Sequence, residues 1–295
     1  MQPLPMESLI HTEGGAVANE LRQRFNYALI NPLIVQMRDW QDLPVVALET
    51  SPAPARAHRL PQLVDLGSIS GNTYGDLTNR MRRYDKRGLS FFSALLKSKA
   101  SVETVATHLK RQLLQRRRQE RQPHWFRYYD PLVFRHLVWL LTPRQLTRLM
   151  GSVTHWSWQD RPGHWQTLER PEEAPRISWL ELNRNQWLSI DRFAALNRSL
   201  RRLQAIAPDW PQDMVHWRWL DDTMRYLDET FGLPAEDQQF VAESAARYHP
   251  DLVMHPDIES QLNQAALAPP GAADRLRQFN NTAWNTIISD LKERT

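Results

Sequence analysis

Apolar and polar positions change period part-way along the chain. In the first half, short apolar runs are separated by polar, proline-rich stretches. Phe25-Asn-Tyr-Ala-Leu-Ile30, Val45 to Leu48 and Pro61-Gln-Leu-Val-Asp-Leu66 predict strands, each bounded by turn-forming residues. Leu33 to Trp40 predicts a short helix, and Pro52-Ala-Pro54 a loop. Residues 67 to 85 are polar and turn-rich and predict a loop, with Gly88 to Leu95 as a further strand. From Ser101, a helix cap, Val102, Val105, Leu109 and Leu113 recur at helical spacing. The basic residues Arg116 to Arg118 and Arg121 are expected at the carbonyl end of that helix, where cations are favoured.

Phe126 to Tyr129 predicts an aromatic strand running into Asp130-Pro131. Asp130 can cap the next helix, and Pro131 has the fixed φ that suits its first position. Thr142-Pro143-Arg144-Gln145 repeats this logic with glutamine placed for a capping box. Gly151 suits the end of that second helix. Thr154 to Trp158 and His164 to Leu168 flank Asp160 to Gly163, which predicts a β-hairpin.

Near Pro171 to Pro175 the period becomes helical. Phe193, Leu196, Leu200 and Leu203 form one stripe, Phe240, Val241, Ala245 and Tyr248 a second, and Leu276, Phe279, Ala283 and Ile287 a third in the last helix. The expected organisation is a flexible lead-in over residues 1–20, an α/β lobe over 21–175 and a helical lobe over 176–295. The expected fold class is an α/β (α+β) N-terminal lobe with a mixed sheet and flanking helices, plus an all-α C-terminal lobe.

The 295 residues suffice for two lobes with real cores, and 41% hydrophobic and 24% charged residues are ordinary for a globular protein. Thirty-seven Lys+Arg against 33 Asp+Glu gives +4, far from a polybasic nucleic-acid binder. The chain has no cysteine, which excludes disulfides, thiolate metal sites and a cysteine nucleophile. Met1 to Met6 lacks a basic region followed by an apolar core, so no signal peptide is expected. Apolar runs such as Leu137 to Leu141 are too short to span a bilayer. A cytoplasmic location without stable membrane insertion is therefore expected.

Residues Gly88 to Leu168 carry an ordered run of signals: Arg127-Tyr-Tyr-Asp-Pro131, Leu141-Thr-Pro-Arg-Gln145 and Gly151-Ser-Val-Thr-His-Trp156. This run resembles the type VI secretion effector adaptor (chaperone) family, formerly a conserved domain of unknown function. Its pattern is an "R-F/Y-Y-D-P" strand end, an "L-T-P-x-Q" helix start and a "G-P-V-x-x-W" turn, with Ser152 here in place of the proline. Weaker similarity extends to Tyr27-Ala-Leu-Ile-Asn-Pro32 and to Phe231-Gly-Leu-Pro-Ala-Glu-Asp237 with Phe240 and His255-Pro256. The resemblance implies a non-enzymatic protein without cofactor. It would bind the N-terminal region of a toxin effector and load it onto the spike (VgrG-type) protein.

Arg127, Tyr128, Asp130, Pro131, Thr142, Pro143, Gln145 and Gly151 are expected to form a structural hub. Arg127 and Asp130 would pair on one strand end, and a buried arginine stripped of its partner is costly. On a strand, Tyr128 and Tyr129 would face opposite sides. Of the 12 tryptophans, most are expected in the core. Trp156, Trp158, Trp165, Trp187, Trp217 and Trp219 are the candidates for partner contact, because tryptophan is enriched in interface hot spots.

The alternative is a nucleic-acid-binding protein using Lys110, Arg111, Arg116, Arg117, Arg118 and Arg121. Aromatic residues follow this run and do not interleave with it, so a solvated helix end is favoured and no nucleic acid is expected. His249 and His255 lack metal-ligand spacing. The glycines from Gly67 to Gly75 lack the lysine of a phosphate loop. Ser90, Ser93, His108 and Asp130 lack a nucleophile elbow. No catalytic residue and no metal site are expected.

Overall fold

The computed structural model describes residues 10–13, 21, 23–50, 59–118, 120–161, 164–171 and 179–293. The first half runs β1 (Ile10–Glu13), β2 (Tyr27–Ile30), β3 (Val45–Ala47), β4 (Gln62–Asp65), α1 (Gly71–Asp85), β5 (Ala94–Ser98) and α2 (Val102–Gln112). It continues with β6 (Leu114–Gln115), β7 (His124–Trp125), α3 (Pro131–Leu140), α4 (Pro143–Met150), β8 (Val153–Arg161) and β9 (His164–Glu169). Seven of these strands form one sheet in the order β1-β9-β8-β5-β2-β4-β3. Every neighbouring pair in it is antiparallel. Strands β6 and β7 form a separate two-stranded ribbon.

Both faces of the central strands are covered, which is why β2 is buried at all its positions. Ala28, Ile30, Val64 and Leu95 pack with Tyr74, Leu77, Met81 and Tyr84 of α1. On α1 those four side chains recur at helical spacing, so one face of the helix is apolar. Helices α3 and α4 pack on β8.

The second half is helical: α5 (Arg184–Ile206), α6 (Met214–Phe231), α7 (Ala235–Tyr248), α8 (Pro256–Leu267), α9 (Ala272–Arg277) and α10 (Asn281–Glu293). The fold class is thus an α+β half followed by an all-helical half. The chain divides into compact units of residues 1–187 and 188–295. The division falls within α5, whereas the boundary expected near residue 175 lies among residues 172–178, outside those described. In the second unit Phe193, Leu196, Leu200 and Leu203 form the buried stripe of α5. Asp221 of α6 is almost fully buried and bonded by Ser189 Oγ at 2.6 Å and Arg192 Nε at 2.9 Å, so its charge is paired where water is excluded.

Several elements differ from the sequence expectation. Residues 71–85 form a helix, because the Ser70 hydroxyl accepts from Thr73 N and the apolar side of the segment is buried. The strand expected over 88–95 begins only at Ala94. The predicted helix over 33–40 contracts to a single 3-10 turn, Met37–Asp39. The expected lead-in contains strand β1, paired with β9. The third helical stripe is broken at residues 278–280 and divided between α9 and α10. The proline-rich loop at 52–54 and the tip of the hairpin at 162–163 lie outside the described residues.

Candidate partner-binding surface

Two consecutive capped helices set the geometry of the first unit. Asp130 accepts from Leu132 N at 3.0 Å, and α3 starts on Pro131. Thr142 accepts from Gln145 N at 3.3 Å while Gln145 Oε1 accepts from Thr142 N at 2.9 Å, completing the capping box before Pro143. Gln145 also forms a reciprocal amide pair with Gln186, at 2.9 and 2.8 Å, which ties α4 to the first turn of α5. Gly151 ends α4 with a φ of 59°, and a Cβ there would collide with the His108 ring. That ring is held by its Nε2, which donates to Leu149 O at 2.9 Å.

The Phe126–Tyr129 segment is not a strand; the strand before it, β7, ends at Trp125. Tyr128 and Tyr129 lie in a turn and are both buried, so the alternation argument does not apply to them. Tyr128 donates to Leu109 O at 2.8 Å, and burial pushes its phenol well above the usual range. Its ring meets Trp156 edge-on at 5.9 Å, and Trp156 stacks on Phe134 at 4.6 Å. Trp158 lies 5.2 Å from the same Phe134 ring. Tyr128 and Phe134 thus join the two tryptophans of β8 in one aromatic core.

Burial corrects the expectation of partner contact at the tryptophans. Trp156, Trp158, Trp165, Trp187 and Trp217 are all buried, and only Trp219 is half-exposed. Trp165 belongs to the core beneath α1, and Trp187 packs on Phe126 and beneath Arg117. Large apolar area drives all five into packing. The exposed indoles are Trp125 and Trp179, at 45% and 68%. The Arg127–Asp130 pair forms at 2.8 Å, but the arginine side chain is 48% exposed, so it is a surface pair of small worth and not a buried anchor.

Lys110 and Arg111 occupy the last turn of α2, whereas Arg116, Arg117, Arg118 and Arg121 lie in the β6–β7 connection beyond the helix. Ser90, Ser93, His108 and Asp130 are not assembled. Ser93 donates to Leu29 O, Ser90 to Gln159, His108 bonds Leu149 O, and Asp130 caps α3. His255 serves a structural role, its Nδ1 accepting from Asp257 N at the start of α8.

The second unit offers an open groove of about 230 Å³ between the end of α5 and helices α7, α9 and α10. Phe240, Tyr248, Leu276 and Trp284 line it, with Ile206 at one end. Tyr248 and Trp284 stack at 4.8 Å. Arg277 lies 4.8 Å over Phe240, and Arg247 lies 4.9 Å over Tyr248. Glu243, buried at the groove, accepts from Ser199 Oγ at 2.6 Å and sits 3.4 Å from Arg202. Asp237 fixes α9 against α7, accepting from Ala272 N at 2.9 Å and Ala273 N at 3.1 Å. The sequence signal for this groove was the apolar stripe of α7, where Phe240 and Tyr248 remain only partly buried.

Residues 27–148 match the model of a protein family described as a domain of unknown function (DUF4123). No curated protein and no solved structure matches the chain. The matched span runs from β2 into α4. It contains Arg127, Tyr128, Asp130, Pro131, Thr142, Pro143 and Gln145, and stops before β8 and the helical unit. Among the described residues, no group of three or more His, Asp or Glu side chains converges as a metal site. No described helix is long and apolar enough to cross a membrane.

Proposed function

We propose that this chain is a non-enzymatic, cytoplasmic adaptor that binds the N-terminal region of a type VI secretion toxin effector and loads it onto the spike protein. One observation carries this reading. The match to the domain of unknown function covers 27–148, the span that holds Arg127-Tyr-Tyr-Asp-Pro131 and Leu141-Thr-Pro-Arg-Gln145, and that family is commonly associated with such adaptors. The groove of the helical unit supports it further. It is an open apolar surface edged by arginines, suited to reversible capture of a polypeptide. Holding and releasing cargo needs neither a covalent intermediate nor a cofactor. An apolar cargo segment removed from water gains roughly 25 cal/mol per Å².

The test is co-purification. The tagged full-length chain, expressed with a toxin effector and a spike protein of a type VI secretion system from the same organism, is expected to retain both. Recovery of neither overturns the proposal.

A further inference from the structure

The groove of the helical unit has a chemistry specific enough to name its occupant. Its volume of about 230 Å³ falls below the roughly 300–1,000 Å³ of ordinary small-molecule pockets. It therefore suits one anchoring side chain of a larger partner better than a free metabolite. Its lining joins Ile206, Phe240, Tyr248, Leu276 and Trp284 to Glu243, Ser244, Arg247 and Arg277, and both arginines are exposed. Arg277 shares its charge with Asp274 at 2.8 Å. Arg247 forms no ion pair among the described residues and rests on Tyr248. Arginines already laid on rings lose less freedom when a carboxylate arrives.

The described part of this unit contains no strand, so an extended segment would find no sheet edge for its backbone. A helix satisfies its own backbone hydrogen bonds and presents apolar anchors at i, i+3 and i+4. Nucleic acid fits less well. The faces of Tyr248 and Trp284 are taken by each other, and those of Phe240 and Tyr248 by arginines, which leaves poor platforms for bases.

We infer that this groove binds an acidic amphipathic helix of a partner polypeptide, with an apolar side chain seated on Phe240 and Trp284 and carboxylates meeting Arg247 and Arg277. This rests on the adaptor reading only for the partner's biological identity; the chemistry of the groove is tested without it. The probes are a fluorescein-labelled amphipathic helical peptide with leucines on one face and flanking glutamates, its lysine-for-glutamate counterpart, and a labelled oligothymidylate. Fluorescence anisotropy is read on the full-length wild type, on Arg247→Glu/Arg277→Glu, and on Ile206→Glu, which adds an acid at the groove without touching the arginines.

The acidic peptide is expected to bind wild type and to weaken about tenfold or more in each variant, with the loss shrinking as salt rises. Unchanged thermal unfolding of the variants confirms that they fold. Equal binding of the lysine peptide, stronger binding of the oligonucleotide, no binding of the acidic peptide, or variants that bind it as wild type does would each overturn the inference. If the peptide result holds while neither toxin nor spike co-purifies, the adaptor reading alone fails. If both co-purify while the peptide result fails, the groove assignment alone fails.

Discussion

Gly151 and His108 constrain each other. The positive φ of Gly151 is costly for a residue with a side chain, and the His108 ring fills the space a Cβ would take. Gly232 also has a positive φ, 63°, but nothing lies within 4 Å of its Cβ position. Gly151→Ala should therefore cost about 2–4 kcal/mol and Gly232→Ala only about 1–2 kcal/mol, read from urea unfolding midpoints at unchanged slope. Burial also lowers the His108 imidazole below its usual value near 6.5, outweighing the Leu149 carbonyl that favours the charged ring. With the folded value below the unfolded one, the unfolded chain binds more protons. The stability His108 supplies is complete above pH ~6.5 and drains as pH falls through that value towards the folded one, by at most about 1.4 kcal/mol per pH unit. His108→Gln keeps a donor for Leu149 O. Unfolding titrations between pH ~7.5 and ~5.5 should show a shallower acid loss for it than for wild type. At this scale Gly151 was legible as a helix stop, but the reason only glycine fits was not, because His108 comes from a distant helix.

The best-specified element is α4, since threonine, proline and glutamine at its start all act locally. Local capping is legible because its donors and acceptors lie within one turn. The amide pair to Gln186 is not, because Gln186 is 41 residues further along the chain. Gln145→Ala removes half of the capping box and leaves Gln186, buried to 6% exposure, without its partner amide. It should cost about 1–3 kcal/mol, against about 1 kcal/mol for Thr142→Ala. Combined with Gln186→Ala, the losses should fall short of additivity by at least ~0.5 kcal/mol in a double-mutant cycle. Helix α1 was missed for the opposite reason. Gly71, Gly75 and many polar residues mask a stripe of Tyr74, Leu77, Met81 and Tyr84 that is plain once Ser70 is recognised as its cap. Phe126 to Tyr129 was misread because aromatic density mimics a strand, whereas the buried hydroxyl of Tyr128 needs Leu109 O and bends the segment into a turn.

For the whole molecule, the ordered caps and the shift from strand to helical period were legible, and so was the fold class. Which tryptophans face outward was not, since composition counts indoles without orienting them. Charge at this scale decides between holding a polypeptide and holding nucleic acid. The net charge of +4 is small, and the cations of residues 110–121 are dispersed between the end of α2 and the β6–β7 connection. Arg117 is engaged over Trp187 and lies 3.7 Å from Glu120. Arg116, Arg118 and Arg121 are the exposed cations of that connection. Three phosphate contacts would give a salt slope of about −2.7, with non-specific dissociation constants of roughly 10⁻⁴–10⁻⁶ M. A labelled DNA duplex should therefore remain almost wholly unshifted at about 0.05 µM protein in ~150 mM salt. Arg116→Glu/Arg118→Glu/Arg121→Glu should leave toxin and spike recovery as in wild type. Sub-micromolar DNA binding at that salt, abolished by the triple substitution, would overturn the proposed adaptor role in favour of a nucleic-acid-binding protein that works through the β6–β7 connection.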